Sequence, residues 1–455
     1  MNHQTLSGAR LDLESIVDTN KLGSFHIRII ALCALLAMMD GFDTQAIAFV
    51  APEIADEWHV DASSFGVIFG LGLFGGLLGA MLLGMAGDRF GRKPMLVFAT
   101  LAFAIGSLLT PLAGSLVELA AARFGTGLGL GGALPGVIAL TAEYAPKRLR
   151  TSVVGWMFCG FPLGAVLGGI AAARLIPAFG WSSVFIAGGL LPLLVLPLVM
   201  LFVPESIRFL ATRGSREPID KVLQQMGRSG DWNGASGFVS KEEHAPVASL
   251  FKHGRGRGTL LLWATLFLSL LMTYFLVNWI PVVARQGGLP ITTAVLALSM
   301  LNLGAIIGCI VIGRLADRSR PAIPIGVAFA FGGVAIACIS QAGASGPLLC
   351  LATFLVGALS IGAQMCTVAL CAGYYDTFLR ATGVGWAMGI GRIGAIAGPV
   401  LGGLLLGAGL PASSLFLWVG LVSVAAAAAI FIFGSRSAES LSGSSPRVTE
   451  IAAIP

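Results

Sequence analysis

The chain is 455 residues long, 56% hydrophobic and only 11% charged, with a formal net charge of +6. That composition excludes a soluble globular domain and leaves an integral membrane protein. The positive balance does not indicate a nucleic-acid partner, because the Lys and Arg residues are concentrated in loops between apolar segments, where they act as topology signals.

Taken in order, the apolar segments predict twelve membrane-spanning helices over residues 25–51, 62–86, 94–112, 116–144, 151–174, 182–203, 259–283, 292–315, 322–341, 346–373, 380–406 and 412–434. Each is near the ~20 residues that cross ~30 Å of hydrocarbon. The alternation of a membrane barrel is missing and the runs exceed a barrel strand's ~10 residues, so the fold class is an all-α membrane protein. Residues 1–24 are polar and lack the basic start and cleavage site of a secretory signal, so the first helix is expected to direct insertion with no leader removed. Of the 28 Lys and Arg residues, 24 fall on the two terminal segments and one alternate set of loops. Only Arg174 and Arg285 lie on the opposite loops, and Arg123 and Arg392 lie within spans. The positive-inside rule then puts both termini in the cytoplasm. The expected organisation is a cytoplasmic segment 1–24, a six-helix bundle 25–203, a cytoplasmic linker 204–258, a second six-helix bundle 259–434 and a cytoplasmic tail 435–455.

The two bundles read as copies of one unit. Gly84-Met85-Ala86-Gly87-Asp88-Arg89 at the end of the second span recurs as Gly313-Arg314-Leu315-Ala316-Asp317-Arg318 at the end of the eighth, 229 residues later. Leu149-Arg150-Thr151-Ser152-Val153-Val154-Gly155-Trp156 is echoed by Leu379-Arg380-Ala381-Thr382-Gly383-Val384-Gly385-Trp386 at an offset of 230. Six spans per half, an even number, make the repeat parallel. Small residues four apart form ridges at Gly72, Gly76, Ala80 and Gly84, at Gly160, Gly164 and Gly168, and at Gly394, Gly398 and Gly402. These ridges permit close helix contact and are expected where the halves touch and slide, or else in static packing. The linker is read as a connection carrying at most a short helix near Ile219 to Met226. The seven cysteines all lie in spans without metal-type spacing, which predicts packing residues with neither disulfide nor metal.

Gly84-Met85-Ala86-Gly87-Asp88-Arg89-Phe90-Gly91-Arg92-Lys93 resembles the signature loop of the major facilitator superfamily, with its degenerate copy at Gly313 to Arg320. Twelve spans in two parallel halves fit that fold. More narrowly, Asp40-Gly41-Phe42-Asp43-Thr44, Arg123 with Gly127-Leu128-Gly129-Leu130-Gly131, Glu143, Asn278-Trp279-Ile280-Pro281 and Gly391-Arg392 resemble the aromatic acid:proton symporters, bacterial importers of benzoate-like acids. The resemblance implies a multi-pass protein of the bacterial inner membrane. It also implies activity linked to Asp40, Asp43, Asp88, Asp317 and Arg392. The implied cargo is a hydroxybenzoate-, protocatechuate- or gentisate-type carboxylate.

A symporter needs one group that takes up a proton and one that holds substrate. Ionisable side chains inside a span are costly and mark functional sites, which singles out Asp40, Asp43, Arg123 and Arg392. The five histidines (His3, His26, His59, His244 and His253) lie outside or at the edge of the spans, leaving carboxyls as proton carriers, since desolvation can bring a carboxyl within reach of physiological pH. Asp43 and Arg123 sit at similar depth, about 12 Å and about 10 Å from the outer ends of their spans, so they are expected to pair. Asp40, one turn deeper, is then the proton carrier, unless protonation instead breaks the Asp43 to Arg123 pair; Glu143 is grouped with these proton-coupling residues.

Arg392 lies about 18 Å into the eleventh helix, and its guanidinium fork suits a carboxylate, or else it is a structural arginine bonding helix carbonyls. Trp156, Phe158, Phe161, Tyr274, Trp279 and Trp386 are candidate partners for an aromatic ring, or else core and lipid-facing residues. Asn278, Asn302 and Gln364 either bond a ring hydroxyl or join helices. Asp88, Arg89 and Arg92, with Asp317 and Arg318, read as gating latches at helix ends, and Glu143 belongs to that network or to a plain solvated helix end.

No phosphate-binding Gly-x-x-x-x-Gly-Lys-Ser/Thr loop is present, so the carrier is expected to be secondary and not an enzyme, with protons as coupling ion and no other cofactor. It is expected to work as a monomer in the lipid bilayer. The same fold also accommodates a proton-linked exporter or exchanger of other organic anions or drugs. A membrane sensor would need a sizeable cytoplasmic domain, which a linker of residues 204–258 and a short tail do not provide.

Overall fold

Among the described residues twelve helices are long and apolar enough to cross a membrane. They are α1 (Ser24–Trp58), α2 (Ala62–Phe90), α3 (Arg92–Leu112), α4 (Leu116–Tyr144), α5 (Ser152–Phe179), α6 (Ser182–Phe202), α7 (Gly256–Gln286), α8 (Ile291–Arg318), α9 (Ala322–Ile339), α10 (Gly346–Tyr374), α11 (Phe378–Gly407) and α12 (Ser414–Ser435). The computed structural model describes residues 23–146, 148–213, 216–226, 246–252, 254–340 and 345–442. Expectations for residues 1–22 with His3, for Lys147, for His244 and His253 in the linker and for the tail beyond 442 lie outside the described residues.

Helix α1 overruns its expected end by about two turns. Pro52 removes a backbone donor from a helix interior, yet the helix continues to Trp58 and stops at His59, whose φ of 53° is left-handed. The extra turns carry two acids to partners. Arg285 Nε donates to Asp56 at 3.1 Å and Trp181 Nε1 donates to Glu57 at 2.8 Å. Asp56 and Arg285 are 229 residues apart, so equivalent positions of the two repeats meet on the face opposite the basic loops. Between α1 and α2, Ser63 donates its backbone N–H to Asp61 at 2.8 Å, and its hydrogen bonds hold that carboxyl below the usual carboxylate range.

The ridge glycines themselves close contacts within each half, the static-packing alternative, although the helices that carry them also meet across the halves. A Cβ on Gly164 would overlap the Met38 carbonyl of α1, and one on Gly394 or Gly398 would overlap carbonyls of Phe267 or Leu271 on α7. Gly127 and Gly131 of α4 press in the same way on the backbone of α2 at Gly72 and Gly76. Periodicity identifies a face that permits backbone approach, and the neighbour that covers it is set by the bundle. Across the halves α2 meets α11 and α5 meets α8 through other small residues, Gly66 against Gly403 and Gly169 against Ser299.

The core is divided accordingly. One apolar cluster joins the second half to the far-face portions of the first, including Phe42 to Phe69 and Ala172 to Phe185. A separate cluster holds the basic-face portion of the first half, with Phe25, Leu96, Leu140 and Val199. Ile219 and Leu223 of a linker helix (Arg216–Gln225) are buried in this second cluster. Toward the basic face the halves part, and Gly84, Gly155, Gly385 and Gly389 have open space where a side chain would point. The molecule is therefore sealed on the far face and open on the basic face. Of the cysteines, Cys159 and Cys338 are exposed, so these two are not packing residues.

Gly164→Ala is expected to destabilise the protein by about 1–3 kcal/mol through overpacking against α1, whereas Gly155→Ala, in open space, leaves stability unchanged or higher. Thermal unfolding of the two purified variants in detergent checks the contrast.

Candidate functional site

Both aspartates of α1 are buried, Asp40 at 3% and Asp43 at 1% exposure, but they look to different sides of the helix. Asp43 turns into the first half. Arg123 Nη2 of α4 donates to Asp43 Oδ2 at 3.2 Å and Ser107 Oγ of α3 donates to Oδ1 at 2.6 Å. The guanidinium also lies over the Phe185 ring of α6, 4.9 Å from its centroid. Gly188 leaves room for this cluster, since a Cβ there would stand 3.1 Å from Asp43 Oδ1. A charge pair this deep persists because each partner satisfies the other; alone, either would be an uncompensated buried ion.

Asp40 turns toward the second half. Thr44 Oγ1 donates to Asp40 Oδ1 at 3.0 Å, and Oδ2 is buried without a hydrogen-bond partner. Facing it are Arg392 of α11, whose charge acts on Asp40, and Tyr274 of α7, on which both charges act. Arg392 is half-buried, and its Nη1 donates across the halves to the Gly76 carbonyl at 3.3 Å. A cation on α11, a carboxyl on α1 and a phenol on α7 thus converge near mid-membrane, with no covalent or metal link holding them.

The other ring and amide candidates are distributed unevenly. Phe161 lies next to the site: its backbone packs on Gly41, beside Asp40, and its ring stacks on Phe158 at 6.1 Å. Asn278 spends its amide within α7, donating to the Tyr274 carbonyl at 2.7 Å. Asn302 is tied to Gln45 of α1 in a reciprocal pair at 3.0 and 2.9 Å. Gln364 is buried just after a π-helical stretch (Gly357–Ile361) of α10 and makes no hydrogen bond to the described protein. Trp279 offers no ring face: it is fully buried, donates to the Pro399 carbonyl at 3.1 Å and packs edge-on against Phe69, sealing the far face. Trp156 is 61% exposed near the basic end of α5, and Trp386 stacks on Trp263 at 6.1 Å, so neither is drawn into the cluster around Arg392.

Glu143 is buried like the two aspartates but lies apart from them. It lies on α4 about 30 Å along the helix from Arg123, where it pairs with Arg92 at 3.3 Å and accepts from Ser206. Arg92 also pairs with Asp88 at 3.3 Å. Glu205 completes this basic-face cluster, accepting from the backbone N–H groups of Arg92 and Lys93 at 2.8 and 3.0 Å at the start of α3. The Arg89 carbonyl accepts from Arg213 at 3.0 Å. In the second half the equivalent loop is unlatched: Asp317 and Arg318 are exposed and make no ion pair among the described residues.

Sequence reasoning missed Gln45, Ser107 and Thr44, uncharged residues whose only signal is polarity inside an apolar run. Arg123→Met is expected to cost about 3–5 kcal/mol by leaving Asp43 charged and alone. The double variant Asp43→Asn/Arg123→Met should recover most of that stability, as read by thermal unfolding.

Comparison with known proteins agrees with this architecture. The Major Facilitator Superfamily pattern matches residues 33–392. The chain is 38% identical over 431 residues to a gallate transporter of Pseudomonas putida, covering 94% of this chain and 96% of that one. It is 37% identical over 441 residues to the 4-hydroxybenzoate transporter PcaK of Pseudomonas aeruginosa, covering 95% and 98%. The fold matches the partially occluded inward open xylose transporter XylE of E. coli with a TM-score of 0.69 at 19% identity, over 90% of this chain and 98% of that one. With twelve spans in two six-helix halves and a match across most of its length, the chain belongs to the Major Facilitator Superfamily, a family of carriers and not of enzymes.

Proposed function

We propose that the protein is a proton-coupled symporter of the aromatic acid family that imports a small hydroxylated aromatic carboxylate across the bacterial inner membrane. The basic face is the cytoplasmic one, so the structure corresponds to an inward-facing carrier. The observation that carries this reading is Arg392 of the second half bonding the Gly76 carbonyl of the first, within electrostatic reach of Asp40, one of whose oxygens is buried without a partner. Similarity to gallate and 4-hydroxybenzoate transporters supports the substrate class.

The coupling follows from competition for one guanidinium. Ionised Asp40 and the substrate carboxylate both seek Arg392, whose planar fork binds a carboxylate through two hydrogen bonds. Protonation of Asp40 removes the competitor, so proton and anion bind together; loss of the proton to the cytoplasm restores it and expels the anion. The Gly76 carbonyl occupies Arg392 when substrate is absent. Importing a monoanion against an inside-negative potential costs about 2.3 kcal/mol per 100 mV. One proton makes the cycle electroneutral, and a second, held at the Asp43 to Arg123 pair, makes it voltage-driven. The Arg92, Asp88, Glu143 and Glu205 cluster acts as the latch that remakes its contacts in each cycle.

Uptake of labelled 4-hydroxybenzoate into proteoliposomes, with and without an uncoupler, tests the reading. Arg392→Ala is expected to weaken accumulation at least tenfold, taking about 1.5–3 kcal/mol per lost charge-assisted bond. Asp40→Asn should abolish uncoupler-sensitive accumulation while retaining exchange of internal for external substrate. Full accumulation by both variants would sink the assignment.

A further inference from the structure

Gln45 of α1 and Asn302 of α8 are the only described side chains that form a reciprocal amide pair across the halves, with Gln45 Nε2 donating to Asn302 Oδ1 at 3.0 Å and Asn302 Nδ2 donating back to Gln45 Oε1 at 2.9 Å. Asn302 gives its other N–H to the Leu298 carbonyl at 2.9 Å, which fixes its orientation. The second N–H of Gln45 has no acceptor among the described residues. Both side chains are buried, at 3% and 6% exposure. Nearer the far face Phe69 packs against Trp279 and Gly66 against Gly403, so the pair lies on the inner side of those sealing contacts.

Their depth matches that of the guanidinium. Measured along the helices from the far-face ends, Gln45 is about 20 Å deep, Asn302 about 17 Å and Arg392 about 22 Å. The two amides therefore stand at the level of the proposed anion site, on the side away from the open vestibule. When the far face opens, α1 and α8 belong to different halves and the mutual bonds must break. A buried amide that loses its partner is costly unless another polar group takes the place.

We propose that the Gln45–Asn302 pair is the specificity-determining subsite for a ring hydroxyl: the two amides bond each other while the far face is closed and bond the substrate's hydroxyl while it is open. This rests on the symporter reading above and goes beyond it by assigning the part of the substrate remote from its carboxylate. The exchange of one hydrogen-bonded set for another makes hydroxyl recognition part of the conformational change. An unsubstituted ring displaces the water that reaches both amides in the open state without replacing its hydrogen bonds, and is disfavoured for that reason.

The test uses the full chain in proteoliposomes, with Gln45→Leu, Asn302→Leu and the double variant, and two readouts. The first is the ratio of 4-hydroxybenzoate to benzoate uptake. The wild type is expected to favour the hydroxylated acid by at least about tenfold, and all three variants to fall within about twofold of parity. The second needs no substrate. Ser299→Cys, placed at the buried seam against Gly169 in a background without the native cysteines, is labelled by a membrane-impermeant maleimide applied to the far face. Each single leucine variant strands one amide in the closed state and should raise labelling about tenfold, while the double variant, with neither amide left, returns to within about twofold of the parent. Unchanged hydroxyl preference in the variants overturns the proposal, as does labelling that rises additively in the double variant. A wild type that carries neither acid overturns the symporter reading instead, and the labelling arm still decides whether the amide pair clasps the far face.

Discussion

Placing charge in hydrocarbon without a partner costs so much that the buried ions of this protein determine the arrangement around them. Arg123 and Asp43 form a closed pair, and Ser107 of α3 with Phe185 and Gly188 of α6 shape the space that holds it. That pair fixes the rotation of α1 within the first half. With Asp43 turned inward, Asp40 is left looking out toward the second half. The carboxyl that the first half does not satisfy is the one available to the seam.

The rigidity of each half comes from a different source. Glycines on α5, α4 and α11 bring backbones into direct contact inside a bundle, at distances no larger residue permits. In a membrane such packing is a main source of helix association, and it is absent where the halves part on the basic face. The seam adds polar contacts to its apolar far-face packing: the Asp56 to Arg285 bridge, the Gln45 to Asn302 amides and the Arg392 contact to a carbonyl. Polar contacts of this kind exchange readily with water or substrate, whereas interlocked backbones do not. Two stiff bodies joined by replaceable bonds are suited to rocking without either body unfolding.

Much of this was legible in the residues. The twelve spans were readable to within a few positions because apolar runs of bilayer length admit few alternatives, and the meeting of Asp43 with Arg123 followed from equal depth. The exceptions have physical causes. The apolar run of α1 ends near Ala51, but the helix continues to Trp58 and the acids in the extra turns have partners at Arg285 and Trp181. The glycine ridges were visible as surfaces without revealing which helix covers them. Glu143 shares burial with the aspartates, and its pairing with Arg92 at a helix end could not be told in advance from a plain solvated end. Gln45 and Ser107 are neutral, and nothing in a single sequence distinguishes a polar residue that bonds across a bundle from one that bonds its own helix.

The asymmetry between the repeats has a consequence for direction. In the first half the signature loop is fully engaged, with Arg92 holding Asp88 and Glu143 while Glu205 caps α3, whereas Asp317 and Arg318 of the second half stand exposed. Equivalent sequence has therefore reached two electrostatic states in one conformation. If both loops were latched or both free, the two bundles would have equal reasons to move, and the basic face would gain nothing from closing. Because one copy is unsatisfied here, closure of the basic face can give Asp317 a partner at the same time as opening of the far face breaks Asp56 from Arg285. Surface pairs of this kind are worth about 0–1 kcal/mol each, so trading one for another keeps the two orientations close in energy. In the proposed symport cycle, a near balance of that size leaves the choice between them to the proton and anion taken up near Asp40 and Arg392, where interactions are less screened than at the surface.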